Sequence, residues 1–254
     1  MESIKIIMEQ FILDNWTEND YDSIILFLKN NADLKYRDFH SKLVPTKEKD
    51  YFIGIRMPFL RELGKYIAKG NPRSFLLFPK DNYYEEALLY GIVLGNIKTS
   101  SYEDFCSLYD SFVPRINNWA VCDSCSGKSR DFKKYKEKYF SYIEKYLYSQ
   151  NPWAIRYGII TMFQYKGEEK YFDEILHRLK NIDNEYYYVK MAKAWLTAEL
   201  FSFDSEKVFN FLKENYYDKE TFVMTCSKIR DSYRVTDEWK CKIAEYKKNC
   251  LDKM

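Results

Sequence analysis

The chain has 254 residues, 46% of them apolar and 31% charged, a balance that fills a core and clothes a surface and so excludes a disordered polymer. Only eight Gly and six Pro occur, too little turn chemistry for an all-β protein. The 40 basic and 38 acidic residues nearly cancel, leaving a net charge of +2, so overall charge alone points to no polyanionic partner.

The N-terminal segment MESIKIIMEQFILDNW has no basic stretch before an apolar run and no small-residue cleavage site, and six cysteines are too sparse for a disulfide scaffold; cytoplasm is the expected compartment. Thr17 to Asp20 has the spacing of a capping box that opens a helix. Pro45 and the run Lys47-Glu48-Lys49-Asp50 predict that any helix there is shortened or replaced by a loop, within a linker near 45–57. Leu60, Leu63, Gly64 and Ile67 then share one helical face between Pro58 in the first turn and Gly70 just past the end. After a linker near 70–83, the most apolar stretch, Ala87 to Gly95, falls far short of the roughly 20 residues that span a bilayer. Ser100 to Glu103 is a second capping-box spacing. Asn151-Pro152 reads as an N-cap followed by the first helical residue. Helical stripes follow at Phe172, Ile175, Leu176 and Leu179, at Val189, Ala192, Leu196 and Leu200, and at Phe222, Cys226 and Ile229, with linkers near 127–133, 166–170, 183–186 and 202–205.

Roughly a dozen helices joined by short linkers predict an all-α fold in which antiparallel helix pairs recur about every 35–45 residues and must stack to bury their apolar faces. The expected architecture is an α-solenoid of HEAT-like repeats forming a single domain over 1–254; an irregular helical bundle is the alternative.

Few catalytic motifs are present. The two histidines are His40 and His177, and His177, beside Leu176 and Leu179, reads as an exposed or capping side chain. Cys122 and Cys125 form a C-x-x-C without the second pair that zinc would want, and without the preceding strand of a thioredoxin-like site. From Arg115 to Arg156 there are nine Lys or Arg against four Asp or Glu. Such a stripe is either a solvated helix face or a phosphate-binding surface. Within it lies INNWAVCDSCSG, where Trp119 and Asp123 stand four residues apart and share a helical face. Alone, that pair reads first as a core-edge Trp with a solvated or capping Asp.

Taken with its neighbours, the pair resembles the DNA alkylation repair family, the AlkD-like DNA glycosylases with a HEAT-like repeat fold. That family carries a Trp-x-x-x-Asp pair, then an Arg early in a later helix, then a further Trp. Trp119 and Asp123, Arg156 in NPWAIRYGII and Trp195 in KMAKAWLTAEL match in that order. YFIGIRMPFLRELGKYIAKG, with Gly54, Arg56, Pro58 and Arg61, resembles the family's opening of its second repeat, and KIRDSYRVTDEW its closing helix, so the resemblance covers about residues 20–245.

The resemblance implies hydrolysis of the glycosidic bond of cationic N3- or N7-alkylated purines in double-stranded DNA. A base that is already positively charged leaves without a general acid, so the chemistry needs a stabilised oxocarbenium-like sugar and a positioned water. Asp123 is the expected group for both, with Trp119 and Trp195 offering ring faces to the deoxyribose. Arg156 is expected to hold a phosphate, and Lys128, Arg130, Arg56, Arg61 and Lys193 to add DNA contacts. Lesions would be sensed through the backbone, without a snug base pocket. No cofactor, metal or membrane is implied, and the expected state is a monomer. The alternative is a catalytically silent paralog that acts as a nucleic-acid-binding or protein-interaction scaffold.

Overall fold

The computed structural model describes residues 2–44, 49–214 and 216–251. The break expected at Pro45 falls on 45–48, outside the described residues; a 3-10 turn, Lys49–Tyr51, follows it. Among the described residues all regular structure is helical, with sixteen α-helices and no strand. The chain divides into two compact units, Met1–Tyr139 and Phe140–Met254. No helix among the described residues is long and apolar enough to cross a membrane.

The first unit contains α1 (Glu2–Glu9), α2 (Glu18–Asn30), α3 (Leu34–His40), α4 (Met57–Lys69), α5 (Pro72–Phe75), α6 (Tyr84–Asn96), α7 (Tyr102–Phe112) and α8 (Trp119–Cys125); the division falls within α9 (Phe132–Tyr142). Helix α6 packs between α4 and α8 and also meets α5 and α7. That central place explains why Ala87–Gly95 is apolar nearly all round, since a helix with neighbours on every side has no face to give to water. Gly91 permits the close approach of α8: a Cβ there would lie 2.6 Å from Cys125 Sγ. The predicted stripe on α4 is inward, with Leu60, Leu63 and Ile67 all fully buried, each worth about 1.5–3 kcal/mol of removed apolar surface.

Two consecutive acids at the start of α6 tie distant segments to it. Glu85 accepts hydrogen bonds from the backbone N–H groups of Ile53, Gly54 and Ile55 at 2.9, 2.7 and 3.1 Å. Gly54 has φ +100°, and a Cβ there would lie 2.8 Å from the Asp33 carbonyl oxygen, so the turn needs glycine. Burial still pushes the Glu85 carboxyl above its ordinary pKa, against those three donors. Glu86 accepts from Tyr83 N–H at 2.7 Å and Lys80 N–H at 3.2 Å, and from the Tyr21 hydroxyl.

The second unit contains α10 (Glu144–Leu147), α11 (Pro152–Met162), α12 (Glu169–Asn181), α13 (Tyr187–Phe201), α14 (Ser205–Lys213), α15 (Lys219–Asp231) and α16 (Asp237–Leu251). Helix α13 packs between α11 and α15, against α12 and α14 as well, and α16 packs on α15. The stripes predicted on α12, α13 and α15 are all buried. Buried cations are paired, as burial requires. Lys190 reaches Glu185, Glu220 and Asp218 at 2.6, 3.1 and 3.3 Å. Arg178 donates to the Phe140 carbonyl at 2.6 Å and to Glu174 at 2.8 Å.

Most predicted caps are present. Thr17 and Asp20 form a capping box, and Asn151 accepts from Trp153 N–H at 2.9 Å. The cap of α7 is one residue later than predicted: Ser101, not Ser100, accepts from Asp104 N–H, while the Ser100 hydroxyl donates to the Asp104 carboxylate. The linker expected at 70–83 contains the single turn α5, opened by Asn71 and Pro72.

Candidate functional site

Helix α8 begins where the paired asparagines turn the chain. Asn118 is fully buried, and its side-chain oxygen accepts from Val121 N–H at 3.0 Å. Its amide donates to Asn117 Oδ1 at 2.7 Å, and the Asn117 amide donates to the Tyr51 hydroxyl at 2.9 Å. This anchoring fixes the start of α8 and therefore the face shared by Trp119 and Asp123, both half-buried. Trp119 Nε1 donates to the Leu43 carbonyl at 3.2 Å, which ties the indole to the end of the segment before residue 45.

Below the helix, Lys128 Nζ donates to the Asp123 carbonyl oxygen at 3.0 Å, and Arg130 N–H donates to the Gly95 carbonyl at 2.9 Å. These contacts lay residues 124–130 across α6. The result is an open recess of about 340 Å3 lined by Arg61 and Lys65 of α4, Gly91 and Gly95 of α6, and Lys128 and Arg130. Four cations line it and no carboxylate does. Three of them are residues predicted to contact DNA; Lys65 was missed, although it follows Arg61 by one helical turn. Arg56, also predicted, donates to Asp33 through Nε and Nη2 at 3.1 and 2.9 Å and stays largely exposed. An exposed pair of this kind holds its partners only weakly.

The C-x-x-C lies at the same place. Cys122 and Cys125 are buried, and burial pushes the Cys125 thiol up to about 12 despite the nearby Lys128 and Arg61 charges. No group of three or more His, Cys, Asp or Glu able to share a metal ion occurs among the described residues.

The other two matched residues belong to the second unit. Trp195 on α13 is 37% exposed, with its ring 4.6 Å from that of Phe163. Arg156 on α11 is 2% exposed, and its Nη1 donates to the Tyr188 carbonyl at 2.6 Å. Lys193 departs from expectation as a DNA contact. It is 5% exposed and its Nζ donates to the Ile182 carbonyl at 2.6 Å, and burial lowers its pKa. The reason is angular: two residues along a helix is a rotation of about 200°, so an exposed Trp195 sends Lys193 inward.

An aromatic group at the start of α13 was also missed. The Trp153 ring lies 5.5 Å from that of Tyr186 and 5.4 Å from that of Tyr188, and Tyr186 and Tyr187 are substantially exposed. The run Tyr186-Tyr187-Tyr188, too rich in aromatics for one buried stripe, is the signal that could have found it. The two histidines make other contacts: His177 meets Asn181 on the surface at 3.0 Å, and His40 meets the Tyr84 hydroxyl at 3.0 Å.

A family model described as DNA alkylation repair enzyme matches residues 25–227. No curated protein and no solved structure matches the chain.

Proposed function

Because the chain belongs to the DNA alkylation repair enzyme family, we propose that it is a DNA glycosylase that releases cationic N3- or N7-alkylated purines from duplex DNA. The observation that carries this reading is the join between Asp123 and the basic recess. Lys128 both lines the recess and bonds the Asp123 backbone carbonyl, so a phosphate seated among Arg61, Lys65, Lys128 and Arg130 would bring its strand beside the end of α8 that carries Asp123.

In the proposed reaction the positively charged base departs with the glycosidic electron pair and needs no proton from the protein. Asp123 stabilises the oxocarbenium-like sugar and orients the attacking water. Trp119, fixed through its indole N–H, offers a ring face to the deoxyribose and excludes bulk water there; Trp195, exposed on the second unit, is a further candidate for contact with the DNA. The phosphate contacts fall to the four recess cations and to Arg56; Arg156, buried and bonded to the Tyr188 carbonyl, is better placed to position the start of α13 than to hold a phosphate. Within each unit, the runs α4–α6–α8 and α11–α13–α15 support stacked helix pairs of the HEAT-like kind as the scaffold.

The test is release of 7-methylguanine or 3-methyladenine from methylated duplex DNA by the wild type and by Asp123→Asn. The wild type is expected to release base and the variant to be slower by about 100-fold or more, the scale on which a preorganised electrostatic group acts. Equal rates would remove Asp123 from the chemistry. Salt-sensitive DNA binding without any release would make the chain a silent, DNA-binding family member instead.

A further inference from the structure

The start of α8 is held at two points by residues that lie eight positions apart. Trp119 Nε1 donates to the Leu43 carbonyl at 3.2 Å, and the Asn117 amide donates to the Tyr51 hydroxyl at 2.9 Å. One anchor leaves a short helix free to swivel about it; the second removes that freedom. Tyr51 is itself well placed to serve as an anchor. Its ring meets that of Phe52 at 5.8 Å, and buried Phe52 packs on Tyr84 of α6 with 4.9 Å between ring centres. The next three residues, Ile53 to Ile55, are the ones whose N–H groups the buried Glu85 carboxylate accepts. The phenol is thus fixed to α6, the helix against which α8 packs.

From Tyr51 a relay of two amides runs into the helix, and its polarity is set at the backbone end. The Val121 N–H can only donate, so Asn118 must turn its oxygen to it and its nitrogen to Asn117. Asn117 then accepts with its oxygen and has its own nitrogen left to place, and the Tyr51 hydroxyl takes that last donor. Without the hydroxyl, water would replace it at the exposed Asn117 amide and fix no direction. Building on the proposed action on DNA, we propose that Tyr51 is a positioning residue. Through Asn117 and Asn118 its hydroxyl sets the first turn of α8, and so the direction in which Trp119 and Asp123 face their substrate. Local spacing does not disclose this part, because Tyr51 and Asn117 are 66 positions apart.

The test compares wild type with Tyr51→Phe, which deletes the hydroxyl and keeps the ring on Phe52. Base release from methylated duplex is measured in single turnover with the protein in excess, and duplex affinity by fluorescence anisotropy. The Trp119 indole N–H is followed by NMR, its resonance identified by its loss in Trp119→Phe. The variant is expected to release base about tenfold more slowly, as a small misplacement of reacting groups does, with affinity and melting midpoint close to wild type. Its indole resonance should shift and exchange faster with solvent. In an Asn117→Ala background Tyr51→Phe should add nothing further, because both act along one path. A wild-type release rate or an unmoved indole resonance would overturn the inference. So would a slower rate accompanied by equal losses of affinity and melting stability, which would make Tyr51 a residue of the fold alone. If the wild type released no base, the glycosylase reading would fail and the indole resonance would still decide whether Tyr51 sets α8. Release abolished by Asp123→Asn but untouched by Tyr51→Phe would do the reverse.

Discussion

Glu199 sits at 16% side-chain exposure and accepts from both Arg234 and Lys166. Burial opposes its ionisation, but the two cations outweigh burial and hold the carboxyl below its usual pKa. A carboxyl with a depressed folded-state pKa stabilises the fold fully above its unfolded value, about 4.3, and loses that contribution as pH falls through the folded value. Glu199→Gln is therefore expected to lower stability by about 1–2 kcal/mol at neutral pH, with the gap to wild type closing below about pH 4. Denaturant melts across pH check this; a gap independent of pH would assign the loss to packing. Residues of this kind were the least legible in the sequence. Nothing in the sequence marks Glu85 and Glu86 as buried, because their partners at Ile53 to Ile55 and at Tyr21 are more than 29 positions away. Trp119 and Asp123 were legible because their relation is local, four residues on one helix. The inward turn of Lys193 was not legible, because closeness to Trp195 in sequence does not show the helical rotation of about 200° between them.

At the scale of elements, the short helix α8 depends on its cap. Seven residues make a marginal helix in isolation, and Asn118 both satisfies a first-turn N–H and joins α8 to Asn117 and Tyr51. Asn118→Ala is expected to cost about 1–2 kcal/mol, since it removes a cap and leaves a cavity at a fully buried position. Asn118→Asp, which keeps the accepting oxygen, should recover part of that loss in thermal melts. If the alanine protein melts like wild type, α8 is held by packing alone. Helices with strong stripes and Pro, Asn or Gly punctuation, such as α4 and α11, were readable before any coordinates. The single turns α5 and α10 were not, as four residues carry no period. The cap of α7 was displaced by one residue because Ser100 and Ser101 both precede an acid at a usable spacing, and only the backbone geometry chooses between them.

For the whole molecule, near-neutral net charge conceals a concentrated distribution. Each phosphate neutralised by a cation contributes about 0.9 to the slope of log affinity against log salt on duplex DNA. Replacing Lys128 and Arg130 together by Ala is expected to lower that slope by about 1.8, measured by fluorescence anisotropy over a salt series; an unchanged slope would place DNA elsewhere on the chain. The helical class and the family were legible because amphipathic periods and ordered motifs survive in one dimension. Of the recess, Lys128 and Arg130 were legible in a basic stretch and Arg61 through the family resemblance, but not their convergence, since Arg61 and Lys65 join from a helix more than 60 positions earlier in the sequence. The floor of the recess carries one more consequence. Reagents that alkylate purines also attack thiolates, and Cys125 lines a cavity that small electrophiles can enter. Burial raises its thiol pKa, and a protonated thiol is a poor nucleophile, so Cys125 is expected to resist the very reagents whose lesions the protein is proposed to clear.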